Sequence, residues 1–60
     1  MEPNLQPGDE VDVTQGDFAN FRATVERIDG NIAEVLFSIF GKVHGPIRIP
    51  VELLRKIEPQ

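Results

Sequence analysis

Residues 29–42, DGNIAEVLFSIFGK, decide how this chain folds. Asp29-Gly30 is a strong short hairpin signal, because the type I′ turn that joins two strands tightly needs positive φ at both central residues. After it the chain alternates. Ala33, Val35, Phe37 and Ile39 fall on one face; Ile32, Glu34, Leu36, Ser38 and Phe40 fall on the other. A period of two belongs to a strand. With Ile39 facing inward, alternation turns Phe40 outward, beside Gly41 and Lys42. An exposed aromatic next to a flexible glycine and a cation has the makeup of an interface anchor.

The same region also fits a helix. Phe18, Phe21, Val25, Ile28, Ile32, Leu36, Ile39 and Val43 are spaced 3, 4, 3, 4, 4, 3 and 4 apart, close to the helical period of about 3.6. In that register Asp29-Gly30-Asn31 becomes the corner of a helical hairpin, and Asp17 caps its first helix. The β-branched content and the Asp-Gly turn favour strands. The expected fold is therefore all-β, with an α-helical hairpin as the alternative state.

On the N-terminal side, Pro7-Gly8-Asp9 is turn chemistry opening onto Glu10-Val11-Asp12-Val13-Thr14, a half-buried strand with both valines inward. Thr14-Gln15-Gly16-Asp17 reads as the next turn and Ala23–Ile28 as a second strand. On the C-terminal side, Gly41–Gly45 reads as a turn. Ile47 and Ile49 then mark a short strand that Pro46 and Pro50 confine to an edge or to strand ends. Val51–Ile57 is expected to supply a helical turn and a last short strand. Several short strands at this turn spacing predict a small five-stranded SH3-like barrel.

Composition narrows the chemistry. Sixty residues make one domain at most, and with no cysteine and one histidine neither a disulfide nor a Cys/His zinc site can support it. Ten acidic against six basic residues, net charge −4, argue against binding phosphate backbones, which depends on neutralisation by Lys and Arg. The acids crowd the N-terminal third as Glu2, Asp9, Glu10, Asp12 and Asp17. Asp9 and Glu10 fall on opposite strand faces without calcium-loop spacing, so a solvated acidic edge explains them better than a cation site. His44 has no nucleophile placed beside it and reads as an exposed loop residue. No apolar run approaches the roughly 20 residues of a membrane span. A monomeric, non-enzymatic, cytoplasmic domain without cofactor or metal is expected.

Read together, Pro7-Gly8-Asp9-x-Val11-x-Val13, Gly16-x-Phe18-Ala19-x-Phe21, Val25-x-x-Ile28-Asp29 and Ser38-Ile39-Phe40-Gly41-Lys42 resemble the C-terminal KOW domain of the NusG/RfaH family of transcription elongation and antitermination factors. The resemblance covers about residues 5–57. Asp17 replaces the family's usual proline, and Ala23 stands where the KOW motif has glycine, as in the RfaH branch. The ending Phe40-Gly41-Lys42 is similar to general NusG. Pro46-Ile47-Arg48-Ile49 aligns with the family's P-V-E-L, which requires an insertion at Val43–Gly45, expected as a loop.

The resemblance implies a barrel at residues 7–58 behind a linker or tail at 1–6. It implies an N-terminal domain elsewhere that grips RNA polymerase, while the KOW domain recruits the ribosomal protein NusE, the termination factor Rho, or both, coupling transcription to translation or to termination. Carried over by position, the partner-binding residues are Phe18, Asn20, Phe21, Ile39, Phe40, Gly41 and Lys42. For each a plainer role stands beside this one: Phe18 and Phe21 as barrel plugs, Ile39 as core, Lys42 as a solvated lysine. Ile32, Leu36 and Phe40 share the outward face. Two other roles remain from this level: fold switching as in RfaH, and an RNA-binding KOW module, which the acidic charge disfavours.

Overall fold

The computed structural model describes residues 5–58 of the chain. They form five antiparallel strands: β1 (Glu10–Val13), β2 (Arg22–Asp29), β3 (Ile32–Ile39), β4 (Lys42–Pro50) and β5 (Leu54–Lys56), with a single 3-10 turn at Val51–Leu53 before the last. The sheet order is β4-β3-β2-β1-β5. Both edge strands, through Ile49 on β4 and Leu54 on β5, contribute to one core with Val11, Val13, Ala23, Val25, Ala33, Val35 and Phe37. The sheet must therefore curl around that core as a barrel does. Val11, Ala33 and Val35 are wholly buried, which places the alternation of β3 as its sequence predicts.

Leu5 also lies in the core, at 9% exposure, although it falls in the lead-in expected at residues 1–6. Met1–Asn4 lie outside the described residues. Pro7 and Gly8 are the central residues of the turn before β1. Gly8 at φ +96 fits a type II turn, and the Asp9 N–H donates to the Gln6 carbonyl at 3.1 Å. Ala23, where the family has glycine, is 3% exposed and sits in register between Val11 and Phe37.

The two central hairpins differ from expectation in a related way. β2 and β3 are joined by Gly30-Asn31, not Asp29-Gly30: Asp29 pairs with Ile32, and only Gly30 has positive φ, +63. Glycine first is the pattern of a type II′ turn. The type I′ signature, positive φ at both central residues, appears instead at Phe40 (φ +52) and Gly41 (φ +77), flanked by the Ile39–Lys42 pair. Phe40 is thus a turn residue, and alternation is not what exposes it. It does not continue the row of Ile32 and Leu36, both of which are half-buried.

Consequently the stretch Gly41–Gly45 is not a loop. β4 begins at Lys42 and reaches Pro50, and the extra length is absorbed as a bulge, where Gly45 and Pro46 together oppose Leu36. Gly45 has φ +125 and its Cα approaches β3 so closely that a Cβ there would stand 2.8 Å from the Val35 carbonyl oxygen. A second bulge in β2 lets Glu26 slip between the Val25–Val35 and Arg27–Glu34 pairs, so that Ile28 rather than Arg27 turns inward. The three-residue step from Val25 to Ile28, which looks helical in the sequence, is produced here by one extra strand residue.

The acidic edge is also more engaged than the sequence implies. Asp12 sits across the β1–β5 ladder from Arg55, 3.5 Å away, and Asp9 lies 3.7 Å from Lys56 while accepting the Gln6 N–H at 2.9 Å. On the outer face Glu34 lies between Arg27 (3.7 Å) and Arg48 (3.6 Å) across three strands.

Candidate partner-binding site

Three phenylalanines build the site. Phe37 on β3 is 1% exposed. Phe18 stacks on it with ring centroids 5.0 Å apart and planes at 22°, and Phe21 meets both edge-on, at 6.1 Å from Phe18 and 6.2 Å from Phe37. These are the favoured offset-stacked and T-shaped geometries of aromatic rings. The loop carrying Phe18 and Phe21 is held by its own backbone. The Ala19 N–H donates to the Gly16 carbonyl, the Phe21 N–H to that of Phe18, and the Asn20 N–H to that of Val13, at 3.1, 3.0 and 2.7 Å. Asn20 takes φ +72, a conformation asparagine tolerates better than most residues. Asn20 thus lets the loop turn so that Phe21 comes back over Phe37.

Phe18 is half-buried against the core, and Phe21 is 43% exposed. The plug role is therefore seen for both, since each ring packs on Phe37, and Phe21 is left with part of its surface open to solvent. Ile39 is half-buried against the core. The register pairs Ala23 with Phe37; carried two residues further, it brings Phe21 level with Ile39. The Phe40-Gly41 turn follows directly, so all seven residues read from the sequence lie at one end of the sheet.

At that tip Phe40 is 100% exposed. A bulky residue in the left-handed region is uncommon and costs on the order of 1 kcal/mol or more. Here no burial offsets the cost, so Phe40 gives the fold nothing that glycine or asparagine would not give better. Val43, two residues past the turn, is also exposed, at 69%; it went unassigned because its sequence neighbourhood reads as a loop. Lys42 and His44 are exposed on β4, across the ladder from Ile39 and Phe37. His44 is accordingly a strand residue rather than a loop residue. Among the described residues no three His, Cys, Asp or Glu side chains are grouped to hold a metal.

A small curled five-stranded sheet with an aromatic cluster and a bare phenylalanine at one end defines a barrel module of the SH3-like kind. The family described as transcription elongation factor SPT5, second KOW domain, matches residues 7–57. The chain belongs to this family and is a KOW domain of the NusG type. It is 49% identical over 52 residues to the transcription termination/antitermination protein NusG of Pasteurella multocida, a match covering 82% of this chain and 25% of that protein. Its fold is similar to a solved Thermotoga maritima NusG, studied for its domain interaction, with a TM-score of 0.83 and 30% identity over 97% of this chain and 33% of that one. The chain thus spans between a quarter and a third of these relatives.

Proposed function

We propose that this domain is the recruiting module of a NusG-type elongation and antitermination factor, and that it binds the ribosomal protein NusE, Rho, or both through Phe18, Asn20, Phe21, Ile39, Phe40, Gly41 and Lys42. In this reading a separate domain of the same factor holds RNA polymerase in a bacterial cytoplasm. The tethered barrel links the polymerase to translation or to termination and performs no catalysis. The observation that carries the reading is Phe40, fully exposed and at φ +52. A large apolar side chain kept fully exposed in a conformation that costs stability fits a residue retained for a partner's pocket.

Titration of isotope-labelled domain with NusE and with Rho tests this. Amides of residues 18–21 and 39–42 are expected to shift with at least one of them. If Phe40, Gly41 and Lys42 stay still with both, the site is elsewhere.

A further inference from the structure

The chain is acidic overall, yet its cations are not evenly committed. Arg27, Arg48, Arg55 and Lys56 each lie within 4 Å of a carboxylate, on Asp29, Glu34, Asp12 or Asp9. Among the described residues the cations without such a partner are Arg22 and Lys42. Both sit at the aromatic end. Arg22 follows Phe21 directly, and Lys42 closes the Phe40-Gly41 turn by pairing with Ile39. Continuing the β2–β3 register sets Arg22 level with Ser38, whose partner on β4 is Val43. Strand spacing then puts the Cα atoms of Arg22 and Lys42 about 10 Å apart. Ala23 and Val25 point inward, so Arg22 projects on the outer face, whereas Lys42 shares the side of Ile39. The two cations therefore flank the apolar tip from opposite faces of the sheet. On its other side, across the β1–β2 ladder, Arg22 stands opposite Asp12, whose carboxylate lies 3.5 Å from Arg55, and the acid in the adjoining loop is Asp17.

We infer that the tip selects a partner segment in which an apolar side chain is flanked by carboxylates, and that Arg22 is a specificity residue of the site alongside Lys42. This rests on the partner-docking reading of the tip and adds the chemistry of what docks. The apolar side chain covers Phe40 and the open face of Phe21. Acidic groups on either side meet Arg22 and Lys42, neither of which lies within 4 Å of a carboxylate among the described residues, the Asp12 beside Arg22 being turned to Arg55. The chain's net charge of −4 disfavours such a partner over the rest of the surface, so charge orients it as well as attracting it. A basic flank would instead be drawn away from the tip toward the chain's acids.

Three synthetic peptides with one common apolar centre, flanked by Asp/Glu, by Ser, or by Lys/Arg, titrated into labelled domain, test the inference. The acidic peptide is expected to shift the amides of residues 21–22 and 40–43 and to bind at least 10-fold more tightly there than the basic one. Its affinity should fall several-fold between 50 and 500 mM salt, as about a threefold shorter screening length requires. Combined R22Q and K42Q should erase the preference while leaving the spectrum of the free domain folded. Equal or tighter binding of the basic peptide at the tip, salt-independent binding of the acidic one, or no binding by any peptide overturns it. NusE and Rho both failing to move the tip while the acidic peptide does would remove those partners and leave the charge selection standing.

Discussion

Phe18 lies flat against Phe37, centroids 5.0 Å apart, and this contact closes the core at the end where the sheet would otherwise be open. Phe18→Ala is therefore expected to cost about 2–3 kcal/mol, below the 3–5 of a fully buried aromatic because Phe18 is only half-buried. Urea denaturation checks it. A loss under 0.5 kcal/mol would mean that the ring is a surface contact and not a plug.

Phe40 should behave in the opposite way. Because the ring is bare and its backbone left-handed, Phe40→Asn is expected to leave stability unchanged or raise it by about 0.5–1 kcal/mol. The same substitution should abolish partner shifts in the titration with NusE or Rho. A drop in thermal midpoint would show that Phe40 supports the fold after all.

Glycine substitutions separate strain from crowding. At Gly41, φ +77 with nothing within 4 Å of a Cβ, alanine should cost about 1 kcal/mol of backbone strain alone. At Gly45 the new Cβ also meets the Val35 carbonyl at 2.8 Å, which yields only if β3 and β4 part, and the Ile47 nitrogen at 3.1 Å, which yields only if the β4 backbone itself bends. Gly45→Ala should cost at least about 2 kcal/mol. Parallel denaturation curves decide, and equal losses at the two sites would contradict the close approach at the bulge.

Glu34 lies between Arg27 and Arg48 with its side chain 16% exposed, while both arginines are near 60%. Such exposure keeps the gain small, and Glu34→Gln is expected to cost about 0.5–1 kcal/mol at low salt. High salt should shrink that difference. A double-mutant cycle with Arg48→Gln measures the coupling, and a value of zero would mean that Glu34 contributes packing only.

Much of the fold was legible because the core residues alternate without error where the strands are regular: Val11 and Val13 on β1, and Ala33 to Phe37 on β3, lie inward as read. Legibility failed where an irregular position borrows another element's spacing. The Glu26 bulge makes Val25 and Ile28 mimic a helix, and Gly45-Pro46 hides a nine-residue strand behind two residues that usually end one. The tight turn at Phe40-Gly41 is read too far along, as Gly41–Gly45, for a chemical reason: Gly41 signals a turn whereas phenylalanine at its first central position does not. The exposure of Phe40 was thus anticipated from a strand face it does not occupy. Arg22 carried no signal at all, because it stands out only once the other cations are seen to be paired.

The β4 bulge also bears on what happens when many copies meet at high concentration. β4 is an edge, a template on which a second sheet would extend. The Gly45-Pro46 kink divides its paired residues into Lys42–His44 and Ile47–Pro50, and neither Pro46 nor Pro50 has an N–H to offer. A run of three or four residues with missing donors is a poor seed for an intermolecular ladder, so the domain can display Phe40 and Val43 openly without inviting its neighbours to stack into fibrils.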